Sequence, residues 1–123
     1  MKIHNPGFLA LVDDAKTRVK QMSLAEYEQL AASGEPFLFI DVREDHEWND
    51  AHPKGAVHLS KGIIERDIED AVPDKTRKLV LMCGGGYRAS LAADNLHRMG
   101  YSAAVSFDGG WRAWQAAGLP IES

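Results

Sequence analysis

The chain reads as an α/β protein, a parallel sheet with helices on both faces. Three observations carry that reading. Phe37-Leu38-Phe39-Ile40 and Leu79-Val80-Leu81-Met82 are continuous apolar runs, the pattern of strands buried on both faces. Segments with helical spacing alternate with such runs, which implies a parallel rather than an antiparallel sheet. The chain has 123 residues, of which 45% are hydrophobic, enough for one domain with its own core.

Asn5 stands where a helix cap belongs, with Pro6 at the first helical position. Phe8, Val12, Ala15 and Val19 follow helical spacing, so a first helix is expected from Pro6 to about Lys20. Ser23-Leu24-Ala25-Glu26 is a capping box, opening a second helix that Gly34 closes. The strand at Phe37–Ile40 follows. Ala56–Leu59 is a weaker strand, and Ile63, Ile64 and Ile68 mark a short helix before Pro73. Leu79–Met82 runs into Cys83. A helix from Arg88 to Met99 ends at Gly100, and Ala103–Phe107 is a further strand. Trp111 and Trp114 sit on a last helix, stopped by Gly118 and Pro120.

Composition removes several classes of function. A formal charge of -4 does not suit nucleic acid, which favours a basic face. No stretch approaches the roughly 18 apolar residues of a spanning helix, so no membrane partner is expected. No leader is visible at the N-terminus, and the expected compartment is the cytoplasm. One cysteine can form neither an internal disulfide nor a multi-cysteine zinc site. His46, His52 and His58 recur every six residues, but a turn-and-strand path would not bring them together, so no metal site is expected. The thiol is therefore either a buried small hydrophobe or a reactive group.

Its position separates the two. Cys83-Gly84-Gly85-Gly86-Tyr87-Arg88 lies between a buried strand and a helix, at the carboxyl end of the sheet, where function gathers in such folds. Helix N-termini and neighbouring arginines favour thiolates. Gly84, Gly85 and Gly86 let the backbone curl so that its amides form an anion-binding nest. Arg88 adds a planar fork of donors suited to an oxyanion. No Gly-Lys-Ser/Thr ending follows, so this is not a standard phosphate loop.

These residues resemble the C-x-x-G-x-R loop of the single-domain rhodaneses, a family of sulfurtransferases. Asp41-Val42-Arg43-Glu44 is similar to that family's D-V-R-E segment, Gly55-Ala56 to its G-A, and Gly109-Gly110-Trp111 with Trp114, Gly118 and Pro120 to its closing pattern. The resemblance covers about Ser23 to Pro120. It implies a three-layer α/β/α sandwich with a parallel sheet of about five strands, a rhodanese-like domain over 23–123, and a helical extension over 1–22 packed on it. It also implies sulfur transfer. Cys83 would take a sulfane sulfur from a small-molecule donor such as thiosulfate and pass it to a thiophilic acceptor such as cyanide, a small thiol or a protein thiol. Gly84, Gly85, Gly86, Tyr87 and Arg88 would bind substrate, with Asp41 and Arg43 in support. A covalent relay of this kind needs no metal or cofactor.

Alternatives stay open at several positions. A sulfur-carrier or interaction module loaded by a partner protein would use the same thiol. Cysteine phosphatases place five residues between cysteine and arginine, whereas four stand here, Gly84 to Tyr87. Asp41 and Arg43 either order the loop or form a local salt bridge, and Tyr87 either walls the pocket or covers the sheet end. Glu65 and Arg66 either border the pocket or face solvent. Ser90 follows Arg88 one residue later than the family's usual serine, which turns its side chain by about 100° on a helix.

Overall fold

The computed structural model describes residues 3–123; the N-terminal reading at Met1 and Lys2 lies outside them. Six helices and seven strands follow one another: α1 Pro6–Lys16, β1 Gln21–Met22, α2 Leu24–Ser33, β2 Leu38–Asp41, α3 Asp45–Asp50, β3 His52–Pro53, β4 Val57–His58, α4 Ile64–Ala71, β5 Leu79–Met82, α5 Tyr87–Arg98, β6 Ala104–Phe107, α6 Gly110–Ala116 and β7 Ile121–Glu122. Five strands form a parallel sheet in the order β1-β6-β5-β2-β4. β3 and β7 pair antiparallel as a separate ribbon.

Alternation along the central strands sorts the core into two layers. Ile40, Leu79 and Leu81 pack on one face with Ile64, Ile68, Ala92 and Leu96 from α4 and α5. Phe39, Val80, Met82 and Phe107 pack on the other with Tyr27, Leu30 and Trp114 from α2 and α6. The sheet lies between two helical layers, the three-layer sandwich of the expectation. Burying each large aliphatic side chain contributes about 1.5–3 kcal/mol.

Local signals explain most boundaries. Ser23 and Glu26 close the capping box in both directions, at 3.1 and 3.0 Å. Gly34 and Gly100 adopt the left-handed conformation that ends α2 and follows α5. Asn5 occupies the cap position of α1, but its side chain makes no capping bond. α1 stops at Lys16, short of the expected Lys20, because the chain must turn to reach the sheet edge. There the Lys20 and Met22 carbonyls accept the Ser106 and Asp108 amides at 3.0 and 2.9 Å, making β1. Arg18, beyond the helix, pairs with the buried Asp94 of α5 through two 2.9 Å bonds. The last turn of α1 is thereby fastened to α5. No helix among the described residues is long and apolar enough to cross a membrane.

Candidate functional site

β2 and β5 run side by side and end together, Asp41 opposite Met82. Val42 continues the ladder by donating to the Met82 carbonyl at 2.8 Å. The segments that follow the two strands therefore emerge at one edge, carrying Arg43 and the Cys83 loop.

Cys83 is 1% exposed and forms the floor of a pocket of about 810 Å³. Its Sγ accepts the backbone N–H groups of Gly86 at 3.1 Å and Ala89 at 3.4 Å. Gly86 makes this possible. Its φ of +93° suits glycine, and a Cβ there would stand 2.6 Å from the Asp108 carbonyl oxygen. Its own carbonyl accepts from the Ser90 amide at 3.1 Å and the Ser90 hydroxyl at 2.8 Å. Ser106 Oγ stands 3.4 Å from the same oxygen. The displaced serine thus turns beneath the loop and braces the Gly86 peptide.

The first turn of α6 holds the loop from its far side. Trp111 donates its amide to the Cys83 carbonyl at 2.7 Å, and Arg112 donates to the Gly84 carbonyl at 3.3 Å. A Cβ on Gly110 would lie 2.6 Å from both carbonyl oxygens, so only glycine lets the two segments close. The Gly109-Gly110-Trp111 pattern is a docking joint for the thiol loop.

Arg88 borders the pocket, but its fork is engaged. Nη1 and Nη2 donate to the two carboxylate oxygens of Glu47 on α3, at 2.6 and 3.1 Å. Bonding to Arg88 holds the Glu47 carboxyl down at about 2, against an ordinary 4.5. The sequence reading does not name Glu47. Its available signal is the Glu44…Glu47 spacing, since both side chains cap α3. A carboxyl group with a lowered native pKa stabilises the fold above its unfolded pKa. That contribution is present above about pH 4.5 and is lost as pH falls toward 2. Glu47→Gln should therefore show a shallower loss of stability than the wild type over that window, read from urea unfolding at a series of pH values. Parallel acid limbs would remove the pair from the acid response.

Asp41 and Arg43 form a buried ion pair, with Arg43 Nη2 2.9 Å from Asp41 Oδ2 and the Arg43 amide 3.0 Å from Oδ1. Arg43 also donates to the Ala51 carbonyl at 2.7 Å and lies over the Trp111 ring at 4.5 Å. Neither residue hydrogen-bonds to residues 83–88 among the described contacts. They reach the loop through Trp111.

Tyr87 does line the pocket, and α1 joins it there. The His4 ring meets Tyr87 edge-on at 4.7 Å, Phe8 lies 6.0 Å away, and Lys16 stands over the Tyr87 ring at 5.1 Å. Sequence reading missed His4 and Phe8 as wall residues, because nothing local marks a contact about eighty residues apart. Glu65 and Arg66 stay outside the pocket lining: Glu65 accepts from Asn95 at 2.8 Å, and exposed Arg66 pairs with Asp67. His52 and His58 lie parallel to the Trp48 indole at 3.4 and 4.9 Å, a stacked arrangement. No cluster able to hold a metal occurs among the described residues.

Comparison with known proteins agrees with the fold. The rhodanese-like domain family matches residues 23–117. The thiosulfate sulfurtransferase GlpE of Vibrio cholerae is 34% identical over 84 residues, 68% of this chain and 77% of that protein. A putative sulfur carrier protein of Bacillus subtilis, YrkF, is 27% identical over 78% of this chain but only 51% of its own length. A Rhodopseudomonas palustris protein of unknown function, described as a possible tyrosine phosphatase, superposes with a TM-score of 0.85. It is 27% identical, with 99% of this chain and 98% of that one covered. With the family match spanning most of the chain and the cysteine loop folded at the carboxyl edge of the sheet, the protein belongs to the rhodanese-like domain family.

Proposed function

We propose that this protein is a sulfurtransferase that works through a persulfide on Cys83. The observation that carries the reading is the convergence of two backbone N–H groups on a thiol at the floor of a pocket. Such donors stabilise negative charge on sulfur, both in the attacking thiolate and in the persulfide it becomes. In the first step the Cys83 thiolate attacks the outer sulfur of thiosulfate. A new S–S bond forms, the old one breaks, and its electron pair leaves with sulfite. In the second step cyanide, or a thiolate, takes the outer sulfur and the Cys83 thiolate returns. Charge balances at each stage and no redox partner is needed. The loop amides from Gly84 to Tyr87 and the edge of Arg88 are the proposed substrate contacts, with Asp41 and Arg43 holding Trp111 against the loop.

Intact mass tests this directly. Thiosulfate alone should add one sulfur atom to the wild type and none to Cys83→Ser, and cyanide should then remove it. If no sulfane donor adds that mass, the persulfide reading is wrong. The likeness to a putative sulfur carrier favours a second reading, in which a partner protein loads Cys83. Loading by thiosulfate with little turnover on cyanide would select it. The four-residue spacing of Cys83 and Arg88 makes a smaller cradle than a cysteine phosphatase uses, so hydrolysis of p-nitrophenyl phosphate is expected to be absent.

A further inference from the structure

Two arginines border the pocket in different electrical states. Arg88 is bidentate with Glu47, and that carboxyl, held down at about 2, is anionic at neutral pH. The pair therefore brings no net charge to the site. Arg112 lines the same pocket, is exposed, and has no carboxylate partner among the described residues. Arg18, Arg43, Arg66 and Arg98 each have one. The root of Arg112 is fixed, because its amide donates to the Gly84 carbonyl at 3.3 Å beside the Trp111–Cys83 bond. The chemistry needs such a charge. A thiolate meeting a dianionic donor brings like charges together, and Glu44, also on the pocket, adds to the repulsion.

We propose that Arg112 supplies the positive charge, unpaired with any carboxylate among the described residues, that draws an anionic donor onto Cys83, while Arg88, neutralised by Glu47, shapes the loop. The inference rests on the sulfur-transfer reading, and it makes anionic sulfane compounds the favoured donor class.

Charge selection can be read without any sulfur chemistry. Iodoacetate and iodoacetamide both alkylate a thiolate, which displaces iodide and forms a thioether, but only the first is an anion. At low salt Arg112→Gln should slow iodoacetate at Cys83 by about fivefold and leave iodoacetamide within about twofold, as suits an exposed charge. It should also raise the half-saturating thiosulfate concentration by about fivefold to tenfold, and added salt should narrow both differences. Arg112→Lys should keep most of the preference. An unchanged iodoacetate rate, or an equal loss with both reagents, overturns the proposal. A wild type that gains no sulfur from thiosulfate overturns the sulfur-transfer reading and the donor assignment with it. The alkylation ratio then still decides whether Arg112 selects anions at Cys83.

Discussion

Gly110→Ala is expected to lower the melting temperature by roughly 10 °C, from about 3 kcal/mol of destabilisation in a chain of this size. The added methyl would stand 2.6 Å from the carbonyl oxygens of Cys83 and Gly84, at a φ of +60°. Neither oxygen can retreat freely, because each accepts an amide of the first turn of α6, from Trp111 and Arg112. Relief must pull the turn from the loop or distort both. Two comparisons isolate the cause. Gly118→Ala meets nothing within 4 Å but has a φ of +69°, so it reports backbone strain alone, about 1 kcal/mol. Gly85→Ala meets nothing and needs no positive φ, so its stability should change by no more than about 0.5 kcal/mol. A Gly110→Ala melt equal to that of Gly118→Ala would show that the loop absorbs the methyl and that the docking joint is not tight.

Arg43→Met should cost about 3–5 kcal/mol, because it leaves the fully buried Asp41 carboxylate without its countercharge. The loss also frees the Ala51 carbonyl and uncovers the Trp111 ring. Adding Asp41→Asn should recover part of the stability. An asparagine is neutral, yet its side-chain oxygen can still accept the residue 43 amide, as Asp41 Oδ1 does at 3.0 Å. Chemical denaturation of the two variants measures the difference. A double variant no more stable than Arg43→Met would mean that lost packing, rather than an orphaned charge, sets the cost.

The sheet was legible in sequence wherever burial on both faces forced an unbroken apolar run, as at Leu79–Met82. Helices announced themselves where caps and apolar spacing agreed, as at Ser23–Gly34. The hidden elements lack those signals for physical reasons. β1 is two residues at a sheet edge, Gln21 and Met22, too short to show a period. α3, Asp45–Asp50, buries no residue and is held by the Glu44–Glu47 cap. β3 and β7 pair across about seventy residues through His52, Pro53, Ile121 and Glu122. The thiol loop stood out because its chemistry is written in six consecutive residues. Its surroundings did not, since Glu47, His4 and Arg112 reach the pocket from three separate segments of the chain by tertiary packing alone. The sequence expectation of Arg88 as a free oxyanion fork missed Glu47 for that reason.

The floor of the pocket is shaped by main-chain atoms: two amides on Sγ, and two carbonyls docked onto the first turn of α6. The walls are side chains, His4 and Phe8 from one region, Glu47 from another, Arg112 from a third. Under the proposed sulfur transfer, reactivity and choice of substrate would be carried on separable parts. Drift in the walls could redirect which compound enters while leaving the nucleophile's cradle intact, so one backbone device can serve many sulfur donors across a lineage.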